Sequence, residues 1–375
     1  MVNTFRFLPL SLLALLGSAL PGHAVDPAKI ATPKFTTAPS CNSSYCHGGG
    51  VGKDQSVIYA KEDRHRLAHA ILATARSARI AEGLNIPDAT KAARCTVCHS
   101  PMTAVPPLRF VQGAKPDVGV SCESCHGAAE PWLRFHTRPD VNHDQRVAAG
   151  LREMSDFYSR ANACIACHMN IDADLVAAGH PEMFFDLDRQ MTEQKPHYKD
   201  EGTWLGPRAW FTGQAAALRE LSWKLAKSRE PNLEHRFRAI GWLLRKTDEG
   251  ASVPETDDFA AVQGISERLA RAAARQQWSK EKAQALLRKL ATIGGEFRDS
   301  KLESQELRRR GEVLTIGIDR LWYALKKEGG LASDTFDKAL AVLSVEARSQ
   351  AGFEPAKFAA ALEQIEVALE LLPKN

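Results

Sequence analysis

Four short stretches constrain this chain more than anything else in it: Cys95-Thr96-Val97-Cys98-His99, Cys122-Glu123-Ser124-Cys125-His126, Cys164-Ile165-Ala166-Cys167-His168, and Cys41-Asn42-Ser43-Ser44-Tyr45-Cys46-His47. Each is a cysteine pair followed at once by histidine, with two residues between the thiols in three copies and four in the last. Together they use all 8 cysteines, and only 12 of the 375 residues are histidine. Finding a histidine after every pair by chance has odds of about one in a million, so the pattern is that of covalent c-type haem attachment. Two thiols add across the vinyl groups of one porphyrin, and the next residue lies under the iron as its proximal ligand. The competing readings explain less. Zinc ribbons have no need of a histidine at the next position. Disulfides within such short loops are redox-labile rather than long-range staples. A thioredoxin-like motif would sit beside a βαβ pattern, which is absent.

The N-terminus reads as a signal peptide over residues 1–24. Arg6 is its basic start, Phe7 to Leu20 its apolar run, and Gly22-His23-Ala24 its small-x-small cleavage site. The run is too short and too broken for a comfortable membrane span, so cleavage after Ala24 and export to the periplasm or an equivalent compartment are expected. The formal charge of +4 and a pI near 8.6 invite a nucleic-acid reading. Removing Arg6 and adding the propionates and ferric cores of four haems brings the oxidised protein to about −1, which removes that argument.

The remaining length suggests two domains, 25–206 and 207–375. Residues 25–40 form an extended lead-in, and Gly48-Gly49-Gly50 lets the backbone pass close to a flat cofactor. Asp63 caps a predicted helix whose apolar stripe is Leu67, Ile71, Ala75 and Ala78. Asp144 to Arg160 reads as one helix and Arg189 to Gly206 as polar and irregular. Beyond Pro207 helical periodicity dominates. Leu286, Leu290, Ile293 and Phe297 form one stripe, Leu307, Leu314, Ile318, Leu321 and Leu325 a second, and Phe358, Leu362, Ile365, Leu369 and Leu372 a third. Ser279 and Ser333 are candidate caps and Gly329-Gly330 a candidate stop. The expected fold is mainly α: a tetrahaem cytochrome c domain with little regular sheet, then a bundle of five to seven helices. Trp204, Trp210, Trp223, Trp242, Trp278 and Trp322 are expected to fill its core or its contact with the haem domain.

The proximal ligands read directly as His47, His99, His126 and His168. For the far side of each iron the leading candidates are His65, at a helix start, His180, in a Gly-His-Pro turn, and His136, in a segment expected near the third haem. His69 and His143 have plausible packing or surface roles, and His197 and His235 read as solvent-facing or structural. Met102 reads as packing rather than as a ligand.

The surroundings of the motifs resemble the tetrahaem cytochromes c of the cytochrome c-554 type, electron carriers of hydroxylamine oxidation in nitrifiers. The resemblance lies in Ser40 to Gly49, Glu62-Asp63-Arg64-His65, Ala93 to Ser100, Gly119 to Gly127, Arg160 to His168 and Ala178-Gly179-His180-Pro181. It covers about residues 40 to 200. It implies that three haems are held by two histidines, that one is five-coordinate, and that neighbouring haems pack in close pairs. His65 would match the distal histidine after the first motif and His136 the one between the third and fourth. The family's further distal histidine has no counterpart in Ser100 to Ser121, where His180 would substitute. The longer Cys41-to-Cys46 spacing is a second departure, and its extra residues must bulge outward.

The leading function is therefore an exported electron carrier whose four haems pass electrons between transient redox partner proteins, without nucleic acid and with membrane association only through a partner or an uncleaved signal. The alternative is an oxidoreductase with one open haem acting on nitrite, nitric oxide or hydroxylamine. His99 is the candidate open site, with Arg94, Tyr158 and His197 as proton donors. A third reading gives the bundle a docking role, although its stripes are better explained as mutual packing.

Overall fold

In the computed structural model, residues 32–169, 171–193, 195–349 and 352–372 are described. The expected signal peptide, 1–24, lies outside them. The fold is mainly α. Among the described residues the only β pairing is one isolated parallel bridge, Phe35 to Phe110.

The first half is built of short helices and turns. Helix α1 is Gln55–Glu62, α2 Ala75–Gly83, α3 Ala93–His99, α4 Cys122–His126, α5 His143–Ala148, α6 Phe157–His168 and α7 Leu187–Thr192. The single helix expected after Asp63 is broken into a 3-10 turn, Arg64–Leu67, a helical turn, Ala68–Ile71, and α2. The break has a local cause. Thr74 turns its hydroxyl back to Ile71 O at 2.8 Å and caps the next helix by accepting from Ser77 N. The predicted stripe therefore does not form the core there: Leu67 and Ile71 are exposed, while Leu72 and Ala81 are buried. The expected helix from Asp144 to Arg160 is likewise two helices, α5 and α6, parted where Gly150 adopts φ +110°. Part of the Arg189–Gly206 stretch is helical, since α7 runs to Thr192 with Asp186 accepting from Arg189 N.

In place of a large core, this half is stapled by polar groups. Glu123, 1% exposed, accepts from the backbone N–H of Thr36, Thr37 and Ala129. Phe35 N–H donates to Arg109 O at 2.8 Å, which ties the lead-in to the segment after the second motif.

The second half is the helical bundle: α8 Leu205–Leu225, α9 Pro231–Arg245, α10 Phe259–Ala273, α11 Lys280–Ala291, α12 Ser304–Lys327, α13 Asp334–Arg348 and α14 Pro355–Glu370. Its three leucine-rich stripes are buried, with Leu290, Leu314, Ile318, Leu321, Leu325, Leu362 and Ile365 at 0% exposure. Ser279 and Ser333 cap α11 and α13 by accepting from Lys282 N and Phe336 N. Gly330, at φ +68°, ends α12. Trp210, Trp242, Trp278 and Trp322 are buried and Trp204 packs against the core; Trp223 departs from expectation, being 40% exposed with Lys227 Nζ over its ring. The core does not stop at residue 206. Phe157, Ala161, Ile165 and Met169 belong to it, so α6, which carries the fourth motif, is seated on the bundle.

Candidate haem sites

Three motifs ride on helices that end on their histidine. In α3, α4 and α6 the two cysteines are three residues apart and so share a helix face, with the histidine one residue beyond. The chain leaves the helix directly afterwards: Gly127 has φ +82° and Ser100 φ −158°. The first motif closes by turns instead. His47 N–H donates to Cys41 O at 3.1 Å, and the inserted residues loop outward with Tyr45 88% exposed, as the longer spacing requires. The glycines after it serve this loop. A Cβ at Gly48 would lie 2.0 Å from Asn42 O, and one at Gly49 2.4 Å from Ser44 O.

Each motif histidine faces a second histidine from elsewhere in the chain. The ring centroids are 6.1 Å apart for His47 and His136, 6.1 Å for His65 and His168, 6.3 Å for His99 and His180, and 6.3 Å for His126 and His197. Two imidazoles bound to opposite sides of one metal, each at about 2.0–2.1 Å through a ring nitrogen, put their centroids about 6.3 Å apart. These gaps are thus the width of an iron with two axial ligands. A porphyrin needs only those two donors from the protein, and the two thiols beside each motif histidine supply its covalent tether.

Hydrogen bonding separates these histidines from the rest. Six use Nδ1 for the protein: His47 with Gln55 Oε1 at 2.9 Å, His99 with Ala68 O at 2.8 Å, His168 with Gln190 at 3.1 Å, His65 with Asp63 Oδ1 at 2.9 Å, His136 with Trp132 O at 3.2 Å and His180 with Pro181 O at 2.9 Å. That leaves Nε2 for a metal and fixes the tautomer. His69 and His143 do the reverse, giving Nε2 to Thr90 O at 3.1 Å and to Glu153 at 2.6 Å. His235 turns Nε2 toward Glu303 at 3.5 Å and is largely buried rather than solvent-facing. Gln190 is placed with its amide nitrogen toward His168 while its Oε1 is buried without a partner. Flipping the amide gives the His168 Nδ1–H its acceptor.

Burial also favours the neutral form of His126, His168, His99 and His197, the state a metal requires. His126 is pushed down to about 4 by burial, with His197, His47, Arg152 and His136 adding to it. His168 is pushed down to about 4 by burial and then by His65. His99 and His197 are lowered for the same first reason.

The partners were placed by contacts that a linear reading does not show. His180 follows Gly179, at φ +106°, whose carbonyl accepts from Arg76 at 2.7 Å. Arg94 pairs with Asp172 and Asp174, bringing that segment against α3. Arg94 is thus committed to an ion-pair cluster, and Tyr158 to Glu267 at 2.5 Å, rather than aimed at a reacting group. The expected open site at His99 has His180 opposite it. His136 faces the first motif's His47 rather than the third motif. His197, read from sequence as solvent-facing or structural, faces His126. Its segment is held by Arg160 of α6, which bonds Asp200 at 2.6 and 2.8 Å and lies over the Tyr198 ring. The only sequence signal for His197 was arithmetic, a fourth partner being needed for a fourth motif.

The motifs also touch one another. The side chains of Cys41 and Cys122 lie close enough to shift one another's ionisation, as do those of Cys98 and Cys167, and Cys125 lies close enough to Cys164 and Cys167 to raise both. The first motif is therefore beside the third, the third beside the fourth, and the fourth beside the second.

Residues 40–127 match the family described as cytochrome c554 and c-prime. The segment is cytochrome c554-like. The match takes in the first three motifs and stops before the fourth and the bundle. No curated protein and no solved structure matches the chain. The match supports covalently bound haem c and electron transfer for that segment, in the manner of a multihaem c-type cytochrome family. Among the described residues, no helix is long and apolar enough to cross a membrane.

Proposed function

We infer that the protein is an exported tetrahaem electron carrier, with one haem c on each motif. The observation that carries this reading is the set of four facing histidine pairs, each joining a motif histidine to one from another segment. Cys41 and Cys46, Cys95 and Cys98, Cys122 and Cys125, and Cys164 and Cys167 would hold the porphyrins. His47 with His136, His99 with His180, His126 with His197, and His168 with His65 would hold the irons. Each bound haem supplies a one-electron iron couple.

The chain's own residues set ligation, burial and spacing. With a histidine on each side, an iron at each site would have no position left for a substrate, which favours passing electrons over bond chemistry. The thiol contacts support the order first, third, fourth, second, so that an electron crosses between sites already side by side. Partners would be redox proteins met in small, transient contacts at the ends of that series. The signal-like residues 1–24 support export.

Mass spectrometry with a pyridine haemochrome assay should find four haems per chain, and electron paramagnetic resonance of the oxidised protein should find all four low-spin. Fewer than four haems, or a high-spin haem in the unaltered protein at neutral pH, would overturn the reading.

A further inference from the structure

The six Nδ1 partners of the facing histidines are not alike. Those of His47, His99, His168, His136 and His180 are neutral amides or backbone carbonyls. His65 alone among the six bonds a carboxylate, Asp63 Oδ1 at 2.9 Å. The same oxygen accepts the backbone N–H of His65 at 2.9 Å, so the local turn fixes the carboxylate before the ring is placed. The Asp63 side chain is 13% exposed, against 45% for His65, so water competes little for it.

A carboxylate acceptor draws the Nδ1 proton further than a carbonyl does, through a charge-assisted bond. The imidazole then becomes a stronger donor at Nε2, which favours ferric over ferrous iron. The negative charge itself acts in the same direction. Both effects lower the reduction potential, and the other sites have no matching contact among these partners.

We propose that Asp63, acting through His65, gives the site between His168 and His65 the lowest reduction potential of the four. The inference rests on the four-haem reading above. Asp63 is a positioning and tuning residue, not a catalytic one. Its site lies inside the series, beside both the second and third motifs, so electrons rest on the neighbouring sites and cross this one uphill. His197 also lies near enough to Asp63 to feel its charge, so the site of the third motif is lowered to a smaller extent.

The test is spectroelectrochemical titration of the holoprotein carrying Asp63→Asn, which keeps an acceptor for the turn and removes the charge. The most negative of the four redox steps should move positive, the other steps should move less, and one low-spin resonance should change its g-values. Haem count and spin state on the same sample confirm that ligation is intact. His65→Ala identifies the step concerned by converting one haem to high-spin. If His65→Ala leaves every haem low-spin, the ligand assignment itself fails. If His65→Ala behaves as expected while Asp63→Asn shifts no step, shifts all four equally, or shifts one that was not the most negative, the tuning role of Asp63 fails alone.

Discussion

The two halves of the molecule solve the same problem with different materials. From Leu205 onward, long amphipathic helices bury leucine, phenylalanine and tryptophan against one another, and the core is made of the chain itself. Between residues 32 and 156 the buried apolar side chains are few: a small cluster of Leu72, Ala81 and Ala89, and apart from it Met102, Phe110, Ala129, Trp132 and Val141. That half has short helices, a buried carboxylate clasp at Glu123 and histidines that face one another across cofactor-sized gaps. On the four-haem reading proposed above, haems would be to the first half what leucine is to the second. Burial of apolar area would drive folding in both, but in one much of the area would belong to the prosthetic groups.

The largest expected effect follows from withholding haem. Protein made without haem attachment should keep slow hydrogen exchange in α8 and α12 while residues 32–156 exchange rapidly; equal protection in both halves would break the comparison. Next in size is Phe358→Ala, at a side chain with 0% exposure. It should cost about 3–5 kcal/mol in denaturant unfolding while leaving the low-spin spectrum unchanged, because the bundle core and the haem sites are separate materials.

Glu123→Ala leaves three backbone N–H groups of the first half without their acceptor. A loss of about 3 kcal/mol is expected, read as earlier thermal loss of the haem-region signal. A fall confined to the bundle would contradict the clasp. A Cβ at Gly317 would meet Trp210 Cζ2 at 2.9 Å, so Gly317→Ala should destabilise the bundle by about 1–3 kcal/mol.

The smallest effect concerns Asp186, where the halves meet. Burial raises its carboxyl to about 7, with Asp188 and Asp319 adding and Arg320 opposing. A raised folded value means that the native state holds the proton more tightly than the unfolded chain. This carboxyl's contribution to stability is therefore complete below the unfolded value near 4 and declines as pH rises toward 7. Asp186→Asn should lack that decline, so the stability gap between variant and parent should move in the variant's favour from pH 5 to pH 8. A constant gap would remove Asp186 from the account.

Much of the bundle was legible in the sequence because helical periodicity is local and repeated. The stripes at Leu286, Leu307 and Phe358 and the caps at Ser279 and Ser333 needed nothing beyond their neighbours. Helix limits in the first half were less legible. Thr74 and Gly150 interrupt patterns that composition alone would continue. Trp223 misleads for another reason, since a large ring can lie on the surface when a lysine stem covers it.

The sequence by itself determined the four candidate haem anchors and the histidine proposed to lie beneath each iron, since thiols and histidine adjacent in the chain are adjacent in space in any fold. Only the tertiary structure decided what stands opposite. His136 faces His47, His180 faces His99, His197 faces His126 and His65 faces His168 because Trp132, Arg76, Arg160 and Asp63 hold those segments in place. Two of these holding contacts, Trp132 with His136 and Asp63 with His65, are local and come into use only when distant parts of the chain have packed. The other two, Arg76 with Gly179 and Arg160 with Asp200, exist only because they have.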